Sequence, residues 1–132
     1  MSKNYTRNKD WKTAIWYYRQ LLNLGRNKDS FVPKLAIAQL ASGNSAAARE
    51  TLAFNKVTPL SLVISSVIEL SEGNLIKGMS QVKRAVKLNR SRPVQLPIDY
   101  PAMEIEINKI LSKTSSVTVA QFKKLVQFNG SR

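Results

Sequence analysis

Gly43-Asn44-Ser45-Ala46-Ala47-Ala48-Arg49-Glu50-Thr51-Leu52 is echoed 30 positions later by Gly73-Asn74-Leu75-Ile76-Lys77-Gly78-Met79-Ser80-Gln81-Val82. An earlier copy begins at Lys9, 34 positions before Gly43, and runs Lys9-Asp10-Trp11 with Ala14 and Tyr18. In each copy a turn is followed by a small residue (Ala14, Ala48, Gly78) and, four residues on, by a larger apolar one (Tyr18, Leu52, Val82). The small residue lets the two helices of a hairpin approach closely, and the large one fills the gap to the next hairpin. The chain therefore reads as a stack of α-hairpins.

Apolar residues spaced by three and four extend this reading in both directions. A first helix is expected over 10–24, with Trp11, Ala14, Ile15, Tyr18, Leu21 and Leu22 apolar, Asp10 as N-cap and Gly25 closing it. A second is expected over 30–42, capped by Asp29 or Ser30 and closed by Gly43, with Pro33 in its first turn where the missing N–H is harmless. The third covers 45–55. The fourth opens on Thr58-Pro59, an N-cap followed by proline at the first helical position, and ends at Gly73. The fifth covers 75–89, with an apolar set of Ile76, Met79, Val82, Val86 and Leu88.

Ser91-Arg92-Pro93-Val94-Gln95-Leu96-Pro97 excludes helix and predicts an extended strap. Met103-Glu104-Ile105-Glu106-Ile107 alternates as a strand would, but Ile110 and Leu111 continue a helical pattern, so a sixth helix is expected after Pro101. Thr118-Val119-Ala120-Gln121 has the form of a capping box opening a seventh helix, whose apolar set is Val119, Phe122, Leu125, Val126 and Phe128. The expected fold is all-α with sheet content near zero. Its parts are a polar segment over 1–9, helical repeats over 10–90, the strap over 91–98 and a helical hairpin over 99–132.

Over about 10–89 the pattern resembles the tetratricopeptide repeat, a helix–turn–helix unit of about 34 residues. Asp10-Trp11-Lys12-Thr13-Ala14-Ile15-Trp16-Tyr17-Tyr18 looks like the start of that family's second helix. Gly73-Asn74-Leu75 leading to Ala85-Val86-Lys87-Leu88-Asn89 looks like another. Leu35-Ala36 sits at the family's paired large–small position, whereas Ser65-Ser66 departs from it. The resemblance implies a short α-solenoid with two additional C-terminal helices.

Because this array opens on a second helix, Trp11, Trp16, Tyr17 and Tyr18 lack their usual neighbour. Three covers are open: the C-terminal helices, a partner, or a longer array. Trp16 and Tyr17 lie away from Ala14 and Tyr18, which predicts exposed aromatic surface. The concave face of such arrays takes an extended or helical peptide. Carried over by position, it includes Lys34, Ile37, Ala41, Val63, Val67 and Ser71. That set suits an amphipathic helix better than an acidic tail. On this footing Val63→Asp or Val67→Asp should abolish partner capture without unfolding the chain.

The composition limits the chemistry. The 132 residues carry 21 Lys+Arg against 8 Asp+Glu, a net charge of +13, with 43% hydrophobic content and only 5 Gly and 5 Pro. This suits one folded domain with a core of its own. There is no Cys and no His, which removes thiolate and imidazole catalysis, disulfides and the ordinary zinc and haem sites. No Walker or dinucleotide loop is present, and Glu104 and Glu106, two apart, point to different sides of a helix. No enzymatic activity, cofactor or metal is expected. The first ten residues are polar and basic, without the apolar core of a signal peptide. The longest apolar stretch, 60–70, falls far short of the roughly 20 residues that cross a bilayer. A soluble, cytoplasmic protein is expected.

Charge is not evenly distributed. Between Glu72 and Asp99 there is no acidic residue, while Lys77, Lys83, Arg84, Lys87, Arg90 and Arg92 supply six positive charges. Lys83, Lys87 and Arg90 share one side of the fifth helix. The cluster has two readings: a solvated face that complements the helix C-terminus, and a docking face for a partner's acidic segment or for nucleic acid phosphates. The expected function is a protein-binding scaffold, acting as adaptor, assembly factor or chaperone. Nucleic acid binding through the fifth helix is the alternative, without a zinc-finger, RNP-like or GXXG motif to support it.

Overall fold

A computed structural model of the chain describes residues 11–96 and 101–128. The expected N-cap Asp10, the polar segment 1–9 and positions 97–100 lie outside these. The protein is all-α, with seven helices among the described residues: α1 (Trp11–Asn23), α2 (Lys28–Ala41), α3 (Ser45–Ala53), α4 (Pro59–Ser71), α5 (Leu75–Leu88), α6 (Pro101–Leu111) and α7 (Ser116–Leu125). Two three-residue strands, β1 (Val94–Leu96) and β2 (Val126–Phe128), complete it.

The short turns carry the chain from helix to helix by one device. At Gly25, Gly43 and Gly73 φ is +71, +90 and +84. The next amide reaches back five residues: Arg26 N–H to Leu21 O, Asn44 N–H to Gln39 O and Asn74 N–H to Glu69 O. This is the Schellman closure, which favours glycine in the left-handed region. The N-terminal ends differ from one another. Asn44 Oδ1 accepts from the Ala47 N–H at 3.0 Å and caps α3. Thr58 and Ser61 cap α4 reciprocally, with Thr58 Oγ1 accepting from the Ser61 N–H at 3.0 Å and Ser61 Oγ from the Thr58 N–H at 2.8 Å.

Consecutive helices pack in pairs, α1 on α2, α2 on α3 and α4 on α5, while α2 and α3 also meet α4. The small positions of the repeat, Ala14, Ala48 and Gly78, are all buried. At Gly78 the approach is closest: a Cβ there would stand 2.9 Å from Leu70 Cγ and 3.2 Å from the Ser66 carbonyl oxygen. The central core joins Ile37, Val63, Ile64, Val67, Ile68 and Val82 with Ile107, Leu111, Phe122 and Val126. A second cluster joins Trp11, Ala14 and Tyr18 of α1 to Leu35 and Ala38 of α2.

Several expectations are corrected. Helix α2 starts before Asp29, because Asn27 turns the chain at φ +34 and its carbonyl accepts from both Ser30 and Phe31. Pro33 is consequently its sixth residue and is buried. Helix α7 is capped by Ser115, whose Oγ accepts from the Thr118 N–H at 3.2 Å. Thr118 is thus an interior residue and opens no capping box. Ile76 is 89% and Leu88 52% exposed, because the buried face of α5 runs through Gly78, Met79, Val82 and Ala85.

The chain also contains a small sheet. β1 and β2 pair in parallel, Val94 opposite Val126, with Gln95 Nε2 donating to Gln127 Oε1. Val94 and Val126 are buried in the central core, which rewards extended backbone at both places. Phe128 accordingly belongs to β2 and not to the seventh helix. The last two helices dock on the stack, α6 against α4 and α2, α7 against α5. Their principal packing is not the hairpin expected over 99–132, because Ile107, Leu111 and Phe122 join the central core.

Candidate docking surface

The face expected to take a peptide is filled by the chain itself. Ile37 is 4% exposed, and Val63 and Val67 are fully buried, in the same cluster as Ile107 and Leu111 of α6. Lys34 and Ala41 are half-buried and Ser71 is exposed. Lys34 Nζ stands 5.4 Å from the centroid of the Phe31 ring, within cation–π range. The six residues do not line an open groove. Aspartate at position 63 or 67 would put an uncompensated charge into the core, so unfolding, and not selective loss of a partner, is the expected consequence.

The aromatic pair is split. Trp16 is 63% exposed. Tyr17 is half-buried, its ring edge-on to Tyr18 at 5.8 Å between centroids. Tyr18 in turn stacks on Phe31 at 6.1 Å. The hairpin partner α2 thus supplies much of the cover that α1 was expected to lack.

Two carboxylates, Glu69 and Glu72, meet at one knot of charges. Glu69 on α4 is 1% exposed. Its Oε2 accepts from Arg49 Nη1 at 2.7 Å and lies 3.5 Å from Lys77 Nζ, while its Oε1 accepts from Asn74 Nδ2 at 2.9 Å. The second arm of the Arg49 guanidinium pairs with Glu72. The Arg49 bond, helped by Asn74 and Lys77, outweighs the burial that opposes ionisation and holds the Glu69 pKa down at about 2. The same bond raises the Arg49 pKa. Asn74 does not cap its helix as Asn44 does, because its amide is turned to Glu69. Lys77, expected in the docking face, belongs to this knot. Beside it a cleft of about 290 Å³, lined by Arg49, Leu52, Val57, Ser65, Lys77 and Gln81, runs between α3 and α5.

The other five expected basic residues, Lys83, Arg84, Lys87, Arg90 and Arg92, are exposed. Among the described residues no carboxylate pairs with any of them. Lys83 and Lys87 are one turn apart on α5. Arg90 and Arg92 follow in a turn held by the Asn89 amide, whose Nδ2 donates to the carbonyls of Arg92 and Pro93 at 3.1 Å each. Two further cations were missed: Lys123 and Lys124, exposed in the last turn of α7. In sequence they are an ordinary lysine pair, and it is the packing of their helix on α5 that draws attention to them.

Comparison with known proteins finds no matching family model, no similar curated protein and no similar solved structure. What the fold defines is an all-α protein of paired helices, and no helix among the described residues is long and apolar enough to cross a membrane.

Proposed function

We propose that the chain is a non-catalytic protein-interaction module, an adaptor, assembly factor or chaperone, whose partner docks on the exposed basic face of α5. One observation carries this reading. Lys83, Arg84, Lys87, Arg90 and Arg92 stand in solvent without a carboxylate among the described residues, while Glu69 and Glu72 are engaged by Arg49 and Lys77. A single-sign surface of this kind raises the local concentration of an opposite charge and orients its approach. Because Ile37, Val63 and Val67 are buried in the core, the tetratricopeptide-like groove is not the surface we favour.

The second reading is sequence-tolerant binding of nucleic acid by the same cations, favoured by the net charge of +13. Pull-down from source lysate, with and without nuclease, separates the two. Wild-type protein and a folded Lys83→Glu/Lys87→Glu variant are compared, and bound proteins are identified by mass spectrometry. The reading predicts a reproducible partner that survives nuclease and is lost from the variant. Capture abolished by nuclease moves the assignment to nucleic acid, and equal capture by the variant removes the basic face from it.

A further inference from the structure

The parallel pairing of β1 with β2 has a consequence for the basic face. Val94 stands opposite Val126, so the two segments enter the strand pair from the same end. Arg90 and Arg92 lie four and two residues before Val94, and Lys123 and Lys124 lie three and two residues before Val126. Neighbouring strands are about 4.8 Å apart, and α7 already packs on α5. Segments more than 30 residues apart in sequence therefore deliver their cations to one place. All of these side chains are exposed.

The turn that presents Arg90 is costly in a way the others are not. Its closure is the one seen after α1, α2 and α4: the Ser91 N–H reaches back five residues to the Val86 carbonyl at 2.9 Å. Those three helices place glycine at the left-handed position, whereas α5 places Arg90 there at φ +59, followed by Ser91 at φ +59. A side chain disfavours this conformation. An arginine held where glycine would be easier points to use of its side chain.

We infer that the α5 end, the Arg90–Arg92 turn and the last turn of α7 form one composite site for an acidic segment of a partner protein. This deepens the interaction-module reading and rests on it. Lys83 to Arg90 spans about 10 Å along the helix, and the α7 lysines lengthen the patch, so about five or six extended residues cover it. Leu88, 52% exposed and one turn beyond Arg84, adds an apolar contact within the cations. That feature decides the occupant. A leucine complements an acidic peptide bearing an apolar side chain, and a sugar–phosphate backbone offers it nothing. Among the described residues the large exposed aromatics, Trp16 and Phe54, lie on α1 and just after α3.

The test is fluorescence anisotropy on the full chain at about 50 mM salt. The probes are a labelled Glu-Glu-Leu-Glu-Glu-Ile-Glu-Glu peptide, the same peptide with Leu and Ile replaced by Ser, and a single-stranded oligothymidylate of matching charge. We expect the apolar-containing peptide to bind tightest. Lys123→Glu/Lys124→Glu should weaken it about tenfold or more with the far-ultraviolet circular dichroism unchanged. Arg90→Gly should weaken it while raising the melting temperature. If Lys83→Glu/Lys87→Glu weakens binding and the α7 variant does not, the composite site is wrong and the broader reading survives. Equal binding of the serine peptide removes the apolar contact and with it the assigned occupant. Tighter binding of the oligothymidylate, or binding of no probe, overturns the inference.

Discussion

Arg49 on α3 donates through Nη1 to the buried carboxylate of Glu69 on α4 at 2.7 Å, joining two hairpins by a charge pair. The pairing is asymmetric: the Arg49 side chain is 38% exposed and that of Glu69 only 2%. Glu69 therefore depends on Arg49 more than the reverse. Truncating the arginine leaves a buried anion with only Asn74 and Lys77, and such breakage costs about 2–4 kcal/mol. Arg49→Ala should lower the urea midpoint accordingly, with an unchanged m-value, and a loss below about 0.5 kcal/mol would show the pair to be incidental.

Acid should destabilise the chain through the same group. The Glu69 pKa is depressed from 4.5 to about 2, so its contribution is fully present above about pH 4.5 and is lost as pH falls towards 2. Allowing for solvent around Arg49, the loss is about 1–2 kcal/mol. Urea melts at neutral pH and near pH 3 measure it. Glu69→Gln should flatten this part of the profile, and an unaltered slope in that variant would assign the acid sensitivity to other carboxylates.

Gly78 marks the tightest helix contact. Alanine is the better helix former by about 1 kcal/mol, yet its Cβ would meet Leu70 Cγ at 2.9 Å and the Ser66 carbonyl at 3.2 Å. Overpacking of this kind costs about 1–3 kcal/mol. Gly78→Ala should therefore leave stability level or lower it by up to about 2 kcal/mol. A clear gain would mean that α4 and α5 separate without cost.

Arg90→Gly has the opposite sign. Removing the side chain at φ +59 relieves about 1 kcal/mol of left-handed strain. Thermal unfolding should move up by a few degrees. A fall in melting temperature would show that Arg90 contributes to the fold and is not retained for binding.

The helices were legible because their signals are local. Gly25, Gly43 and Gly73 end helices by a backbone requirement that only the residue itself needs to meet, and the Thr58-Pro59 pair starts one in the same way. The small–large spacing at Ala48-Leu52 and Gly78-Val82 identified which residues pack. What escaped reading depends on neighbours that sequence does not place. Ile76 has the composition of a core residue and falls off the buried face of α5. Val63 and Val67 are buried in the central core, and nothing in the helices themselves shows that their side faces inward and not to an open groove. The strand pair joins positions 32 apart, Val94 and Val126, through residues that continue a helical pattern on one side and follow a proline on the other. Of the candidate site, the α5 cations were visible as an acid-free interval, and Lys123 and Lys124 were not, since nothing local in the sequence shows that α7 packs on α5.

Site-specific photo-cross-linking locates the partner on the surface of the protein. A benzoylphenylalanine is placed at exposed Ser80 on α5, or at exposed Ala46 on α3 as the control, and the chain is irradiated in nuclease-treated source lysate. Docking on the basic face of α5 predicts a discrete protein adduct at Ser80 that disappears when Lys83→Glu/Lys87→Glu is added, and none at Ala46. Adducts at Ala46 alone, or Ser80 adducts indifferent to the charge reversal, would contradict it.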